Sequence, residues 1–285
     1  MTTLTNITVL GTGVLGSQIA YQSAFHGFSV TAYDINDAVL ESAKARFRAL
    51  ADIYKTDVAG GADGRAEQAL DNISYSSDLA AAVHDADLVI EAIPENLAIK
   101  EDTYTRLGAL SPAKTIFATN SSTLLPSDLM GFTGRPDRFL ALHFANHVWV
   151  HNTAEVMGTA LTDPAVYATV AEFAGDIGMV AIEIKKEKAG YLLNSMLIPL
   201  LDAAAELLVD GIAEPDMIDK TWRIGTGAPA GPFQIFDIVG LTTAYNISST
   251  AGPKQREFAA YLKRNYIDQG KLGISTGEGF YNYHS

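Results

Sequence analysis

His143 and Glu155, twelve positions apart, are of the types needed to move a proton. His143 closes the apolar run Phe139-Leu140-Ala141-Leu142, and Glu155 stands inside Ala154-Glu155-Val156-Met157, an apolar, strand-like run. A carboxylate is rarely buried without a partner. Paired with an imidazole, it fixes the ring's tautomer and stabilises the cation formed when the ring accepts a proton. That equipment suits acid–base chemistry at an alcohol or carbonyl. The alternative is a structural pair, or an edge-strand glutamate in water. Donors for a developing oxyanion are available in Asn120-Ser121-Ser122-Thr123, at the end of another apolar run, and in Asn194, within an otherwise apolar segment. Such groups also serve as helix caps or bond across helix interfaces. Glu95, Asn96 and Lys100 follow Ile90-Glu91-Ala92-Ile93-Pro94, where a site residue and a solvated helix start are both reasonable. His26, His84 and His284 read as surface residues.

These groups need an electron carrier if the chemistry is redox, because the chain has no cysteine. Gly11-Thr12-Gly13-Val14-Leu15-Gly16 follows the apolar run Ile7–Leu10 directly and opens an apolar-periodic helix from Ser17 to His26. In that context Gly11 makes a tight turn, Gly13 admits a pyrophosphate to the backbone and Gly16 allows close helix–strand packing. The helix N-terminus supplies N–H groups and a partial positive charge. Asp34 ends the next strand about twenty residues on, where a carboxylate accepts the adenosine ribose hydroxyls and repels an extra phosphate. The motif predicts NAD as cofactor. Asp34 is equally suited to capping the helix that follows.

The elements that must hold these residues alternate short β-rich runs with helices. Expected strands are Ile7–Leu10, Ser29–Tyr33, Leu88–Ile93, Thr115–Thr119, Phe139–Phe144 and Met179–Ile184. The pattern predicts an α/β fold: a Rossmann-type, doubly wound, mostly parallel sheet over residues 1–185, with a helical insertion near 37–70 that reads as an arm broken at Gly60–Gly64. From residue 186 to 285 strand signals vanish. Ala189–Val209 is apolar on nearly every face, which predicts an all-helical C-terminal domain.

A formal charge of −13 argues against nucleic acid as a partner. The most apolar stretch, 189–212, is interrupted by Asn194, Pro199, Asp202 and Glu206, so no membrane span is expected. The first residues carry no basic region or cleavage-type segment, and with no cysteine the expected location is the cytoplasm. His143, His147 and His151 fall four apart, but their run looks extended and no carboxylate follows at ligand spacing, so no metal is expected.

Taken together, Gly11–Gly16 with Asp34, Val89–Leu97 with Lys100, Asn120–Leu124, Arg135–Phe139, Leu142-His143-Phe144, Glu155-Val156, Gly190–Asn194, Gly227–Phe233 and Thr276–Tyr281 resemble the short, single-function L-3-hydroxyacyl-CoA dehydrogenases over nearly the whole chain. The resemblance implies NAD-dependent interconversion of a 3-hydroxyacyl-CoA and its 3-ketoacyl-CoA. It implies that His143 is the general base, Glu155 its orienting partner, and Ser122 and Asn194 contacts to the reacting oxygen. It places Glu95, Lys100, Asn120 and Asn146 around the nicotinamide ribose and ring. It also implies a homodimer formed through the second domain.

The chain departs from the family pattern at Ala145-Asn146-His147-Val148-Trp149-Val150-His151-Asn152-Thr153, a more polar and bulkier loop, and at Ser195 in place of the usual arginine. The altered loop points to a short or polar substrate. A free 3-hydroxy acid, such as a sugar acid or a carnitine-like compound, is therefore the alternative to an acyl-CoA, with a non-catalytic NAD-binding protein behind both. Lys44, Arg46, Arg48, Lys55 and Arg65 are the residues that would hold CoA phosphates.

Overall fold

The early apolar runs lack the alternation of a half-exposed strand because helices cover both faces of the sheet they build. The structure is a computed structural model describing residues 2–284. Its first unit, ending at Leu192, runs β1 (Asn6–Leu10), α1 (Val14–Phe25), β2 (Ser29–Tyr33), α2 (Asp37–Asp57), α3 (Arg65–Asp71), β3 (Ile73–Ser76), α4 (Leu79–Val83), β4 (Leu88–Glu91), α5 (Leu97–Leu110), β5 (Ile116–Thr119), α6 (Pro126–Leu129), β6 (Phe139–Phe144), β7 (Thr153–Gly158), α7 (Pro164–Asp176) and β8 (Val180–Ile184). Every residue of β4, β5 and β6 is buried.

The strands form one sheet in the order β3-β2-β1-β4-β5-β6-β7-β8, parallel except between β6 and β7. The chain winds one way from β1 and the other way from β4, so the C-terminal ends of β1 and β4 flank the switch point, where doubly wound sheets take their ligands.

Several expectations need correction. β3 was not expected, because four residues with serine at alternate positions give too short a signal. β7, read only as a strand-like run, is a full strand. β4 ends at Glu91 and not at Ile93, since the Glu91 carboxylate accepts the Ile93 N–H and turns the chain. The stretch 145–152, read as extended, folds back on itself: the Val150 and His151 N–H groups both reach the His147 carbonyl at 2.8 Å, and His147 adopts φ 61°.

The insertion spans α2 and α3, started by Asn36, whose side chain accepts the Val39 N–H. It is packed onto the sheet layer and does not project as an arm. Phe47 and Tyr54 are fully buried, and Tyr54 meets Tyr21 of α1 edge to face at 4.7 Å.

The second unit begins at Leu193 and is helical, as expected: α8 (Leu193–Val209), α9 (Pro215–Thr226), α10 (Pro232–Val239), α11 (Leu241–Ser249) and α12 (Pro253–Asn265). Its core gathers Leu201, Leu208, Phe233, Phe236, Phe258 and Leu262. Buried Asp219 and Asp237 fasten the chain end: Asp219 accepts the Tyr281 hydroxyl and two N–H groups at the start of α10, and Asp237 accepts the N–H groups of Phe280 and Tyr281 and the Tyr283 hydroxyl. The sequence reading divided the chain at residue 185. The compact units divide after 192, because residues 188–192 bond and pack into the first unit.

Candidate active site

β6 and β7 are paired antiparallel with His143 directly opposite Glu155. Opposed residues project from the same face of a sheet. The His143 Nδ1 accordingly lies 3.0 Å from Glu155 Oε2, with both side chains buried. An ionised carboxylate only accepts, so Nδ1 carries the proton and Nε2 turns its lone pair outward. There Ser122, just beyond β5, places its hydroxyl 3.1 Å from Nε2. The second carboxylate oxygen of Glu155 accepts the Leu192 N–H at 2.8 Å.

The glycine turn is built as its spacing requires. Gly11 has φ +89°, and a Cβ there would stand 2.6 Å from the Ala92 carbonyl oxygen; a Cβ on Gly16 would stand 1.9 Å from the Gly11 oxygen. Gly13 differs, since a Cβ added to it meets nothing within 4 Å. The protein itself does not need that glycine; the open space over an α1 N-terminus that no side chain caps does. It belongs to a cavity of about 250 Å³ at the switch point, walled by Gly13, Val14, Leu15 and Gly16 on one side and by Glu95, Lys100, Asn120 and Ser122 on the other. An anion cradle leading to Ser122 fits a dinucleotide.

Asp34, at the end of β2, accepts both the backbone N–H and the hydroxyl of Thr12 at 2.7 Å. It does not cap α2; Asn36 does. Glu95 accepts from Ser121 Oγ at 2.5 Å and from the hydroxyl and N–H of Thr123. Burial pushes its carboxyl up, but these bonds and Lys100 outweigh burial and hold it at about 2. Lys100 is fully buried, 2.5 Å from Glu91 Oε1 and 3.4 Å from Glu95 Oε2. The Asn120 side-chain oxygen accepts the Phe144 N–H, tying β5 to β6 beside His143.

Two further expected site residues are not among those lining this cavity. Asn146 is exposed in the β6–β7 turn and is not part of the cavity wall. Asn194 is half-buried in the first turn of α8, in the second unit. Three further contributors had gone unread: Glu91, whose carboxylate takes Lys100, Tyr104 and Thr119; Gln18, whose side-chain oxygen accepts the N–H groups of His147 and Val148; and Tyr191, stacked on His143. An acid in an otherwise apolar strand was a usable signal for Glu91; nothing comparable marks the other two. Among the described residues no group of three or more histidines and acids could hold a metal ion.

Residues 6–188 match the 3-hydroxyacyl-CoA dehydrogenase NAD binding domain, and residues 190–283 the 3-hydroxyacyl-CoA dehydrogenase C-terminal domain. The chain belongs to the 3-hydroxyacyl-CoA dehydrogenase family. It is an NAD-dependent oxidoreductase of that type. Within the family it is 34% identical over 286 residues to the mitochondrial hydroxyacyl-coenzyme A dehydrogenase of Rattus norvegicus, covering 98% of this chain and 91% of that one. It is 30% identical to 5-formyl-3-hydroxy-2-methylpyridine 4-carboxylate 5-dehydrogenase of Mesorhizobium japonicum, covering 98% and 90%. A solved diketoreductase, described as a dual catalyst of dicarbonyl compounds, superposes with TM-score 0.97 at 76% identity, covering 99% of this chain and all of that one. No helix of the described residues is long and apolar enough to cross a membrane.

Proposed function

We propose that this chain catalyses the reversible, NADH-linked reduction of the 3-oxo group of β-dicarbonyl compounds, taking free acids or simple esters as well as or in preference to CoA thioesters. The observation that carries the chemistry is the Ser122–His143–Glu155 relay at the end of the glycine-lined cavity. The bound nicotinamide supplies the hydride. His143 Nε2 gives its proton to the carbonyl oxygen during reduction and takes it back during oxidation. Glu155 stabilises the imidazolium form between these events, and its own position is fixed by the Leu192 N–H. The Ser122 hydroxyl donates to the oxygen as negative charge develops, and the family resemblance assigns Asn194 the same role. Glu95, Lys100 and Asn120 of the cavity wall would hold the ribose and ring of the bound cofactor, and the family resemblance assigns Asn146, outside that wall, to the same task.

The preference among dicarbonyl substrates is supported by the basic residues of the insertion. Lys44 is ion-paired to Glu41, and Lys55 to Asp52 and Glu67; Arg46 donates to the Thr12 carbonyl and Arg65 to that of Phe25. Four of the five side chains expected to grip CoA phosphates thus have partners within the chain. The 76% identical diketoreductase supports the same reading. Self-association as a homodimer completes it, supported by exposed Met196, Ile212, Met217, Ile224 and Ile247 on the helical unit.

The test is NADH oxidation with acetoacetyl-CoA, an acetoacetate ester and free 3-oxo acids. A kcat/KM for the ester at or above that for the thioester is expected; a strict requirement for CoA would overturn the preference.

A further inference from the structure

The segment Gly190-Tyr191-Leu192 touches each member of the relay in turn. The Gly190 N–H donates to the Ser122 carbonyl at 3.2 Å, the Tyr191 ring lies on the His143 imidazole, and the Leu192 N–H donates to Glu155. Both Gly190 and Tyr191 are left-handed, with φ of +79° and +52°. For a tyrosine that conformation costs roughly 1–2 kcal/mol and persists only where the surroundings over-determine it. Here they do so three times. The side chain is 1% exposed, its hydroxyl donates to the Ser121 carbonyl at 2.7 Å, and its ring is parallel to the imidazole within 8° at a centroid distance of 4.3 Å.

We propose that Tyr191 is a positioning residue for the His143 base, acting through this stacked contact. The hydrogen bond to Glu155 fixes one edge of the imidazole but leaves the ring free to swing about it. The flat face of Tyr191 removes that freedom and keeps Nε2 directed at Ser122. Its π-face also favours the cationic ring formed during turnover over the neutral one. The left-handed turn matters because it lets one short segment offer a ring to His143 and, one residue later, an N–H to Glu155. The Ser121 carbonyl anchors the phenol end, next to the serine that completes the relay.

This inference rests on the reading of His143 as the base, and the experiment separates the two. Tyr191→Phe, Tyr191→Leu and His143→Ala are made in the full chain. Each is examined by steady-state kinetics with the reactive dicarbonyl, by NADH fluorescence titration, and by proton NMR of the imidazole C–H signals. Those of His143 are assigned by their absence from His143→Ala.

In the wild type these signals are displaced upfield by the ring above them. Tyr191→Leu abolishes the displacement and lowers kcat at least about tenfold, while KM and NADH affinity change less than about twofold. Tyr191→Phe keeps both the displacement and most of kcat. A Tyr191→Leu enzyme with wild-type kcat and only a lower melting temperature overturns the proposal. So does a Tyr191→Phe enzyme as impaired as Tyr191→Leu while its displacement is retained. Should Tyr191→Leu fail to fold, the absence of an upfield His143 signal in the wild type overturns it instead. A His143→Ala enzyme that keeps wild-type kcat refutes the base assignment and leaves the stacking observation standing.

Discussion

Thr12 gives both of its donors to one oxygen of Asp34, each at 2.7 Å, so the first variable residue of the glycine turn locks the acid that ends the neighbouring strand. The carboxyl group is held in place, and a ligand phosphate brought beside it meets a group that cannot swing away. NADPH is expected to bind at least about tenfold more weakly than NADH, a difference of about 1.4 kcal/mol. Asp34→Ser is expected to narrow the gap. Fluorescence titration of both cofactors checks this, and tighter NADPH binding by the wild type would refute it.

The glycines of the turn separate into two kinds. Gly16→Ala drives a Cβ into the Gly11 carbonyl and is expected to lower the melting temperature clearly. Gly13→Ala meets only open space in the protein; it should melt within a degree or two of wild type while binding NADH at least about tenfold more weakly. Equal effects on folding at both positions would remove the argument that the space over Gly13 is reserved for a ligand.

Removing the base, as in His143→Ala, is expected to lower turnover by about 10²–10⁴-fold with NADH affinity nearly unchanged. Glu155→Gln keeps the shape but cannot stabilise the imidazolium, and a loss of at least about tenfold is expected. Kinetics in both directions provide the measurement. If His143→Ala keeps more than about a third of wild-type turnover, the proton travels by another route.

Glu95 links the cavity wall to acid stability. Its carboxyl lies below the ordinary 4.5 in the folded chain, near 2, so the stabilisation it gives is complete above about pH 5 and fades as pH falls toward 2. The side chain is 37% exposed, and solvent screening reduces the contribution to about 1–2 kcal/mol. Urea titrations of wild type and Glu95→Gln should show that gap at pH 7, its narrowing below about pH 5, and its closure only as pH approaches about 2. A gap independent of pH would mean that the Ser121 and Thr123 contacts, and not the charge, are what the glutamine loses.

Sedimentation at micromolar concentration should show a dimer. Met196 is 67% exposed on α8, and Met196→Glu places a charge on that apolar face. The variant is expected to shift toward monomer, and a wild type that sediments only as monomer would end the reading of this face as an interface.

Much of this was legible in the sequence because it is local. The bounds of β2 and β6 came directly from their apolar, β-branched or aromatic runs, and the glycine turn from its position between a strand and a helix. The pairing of His143 with Glu155 was legible only as a possibility. A spacing of twelve does not reveal a register, which the antiparallel alignment of β6 and β7 sets. β3 escaped because two of its four residues are serines and its stability comes from the β2 neighbour. The turn at 145–152 escaped because its anchor, the Gln18 side chain, is more than a hundred residues away. Tyr191 escaped for a similar reason: nothing in the local chain predicts a left-handed tyrosine, and its conformation is imposed by contacts with β5, β6 and β7.

Because His143 and Glu155 face each other within one hairpin, the stretch 145–152 that joins its two strands can be exchanged as a cassette. It is attached by Val148 sunk in the core, Trp149 packed against Tyr54, two N–H groups on Gln18, and Asn152 bonded to Gly178 and Val180. A lineage, or an engineer, that keeps those anchors is free to rewrite the side chains of His147 and His151 while His143 and Glu155 stay in register. Diversification at the tip is thereby uncoupled from loss of the underlying reaction, and a library randomised there would be enriched in enzymes that are still alive.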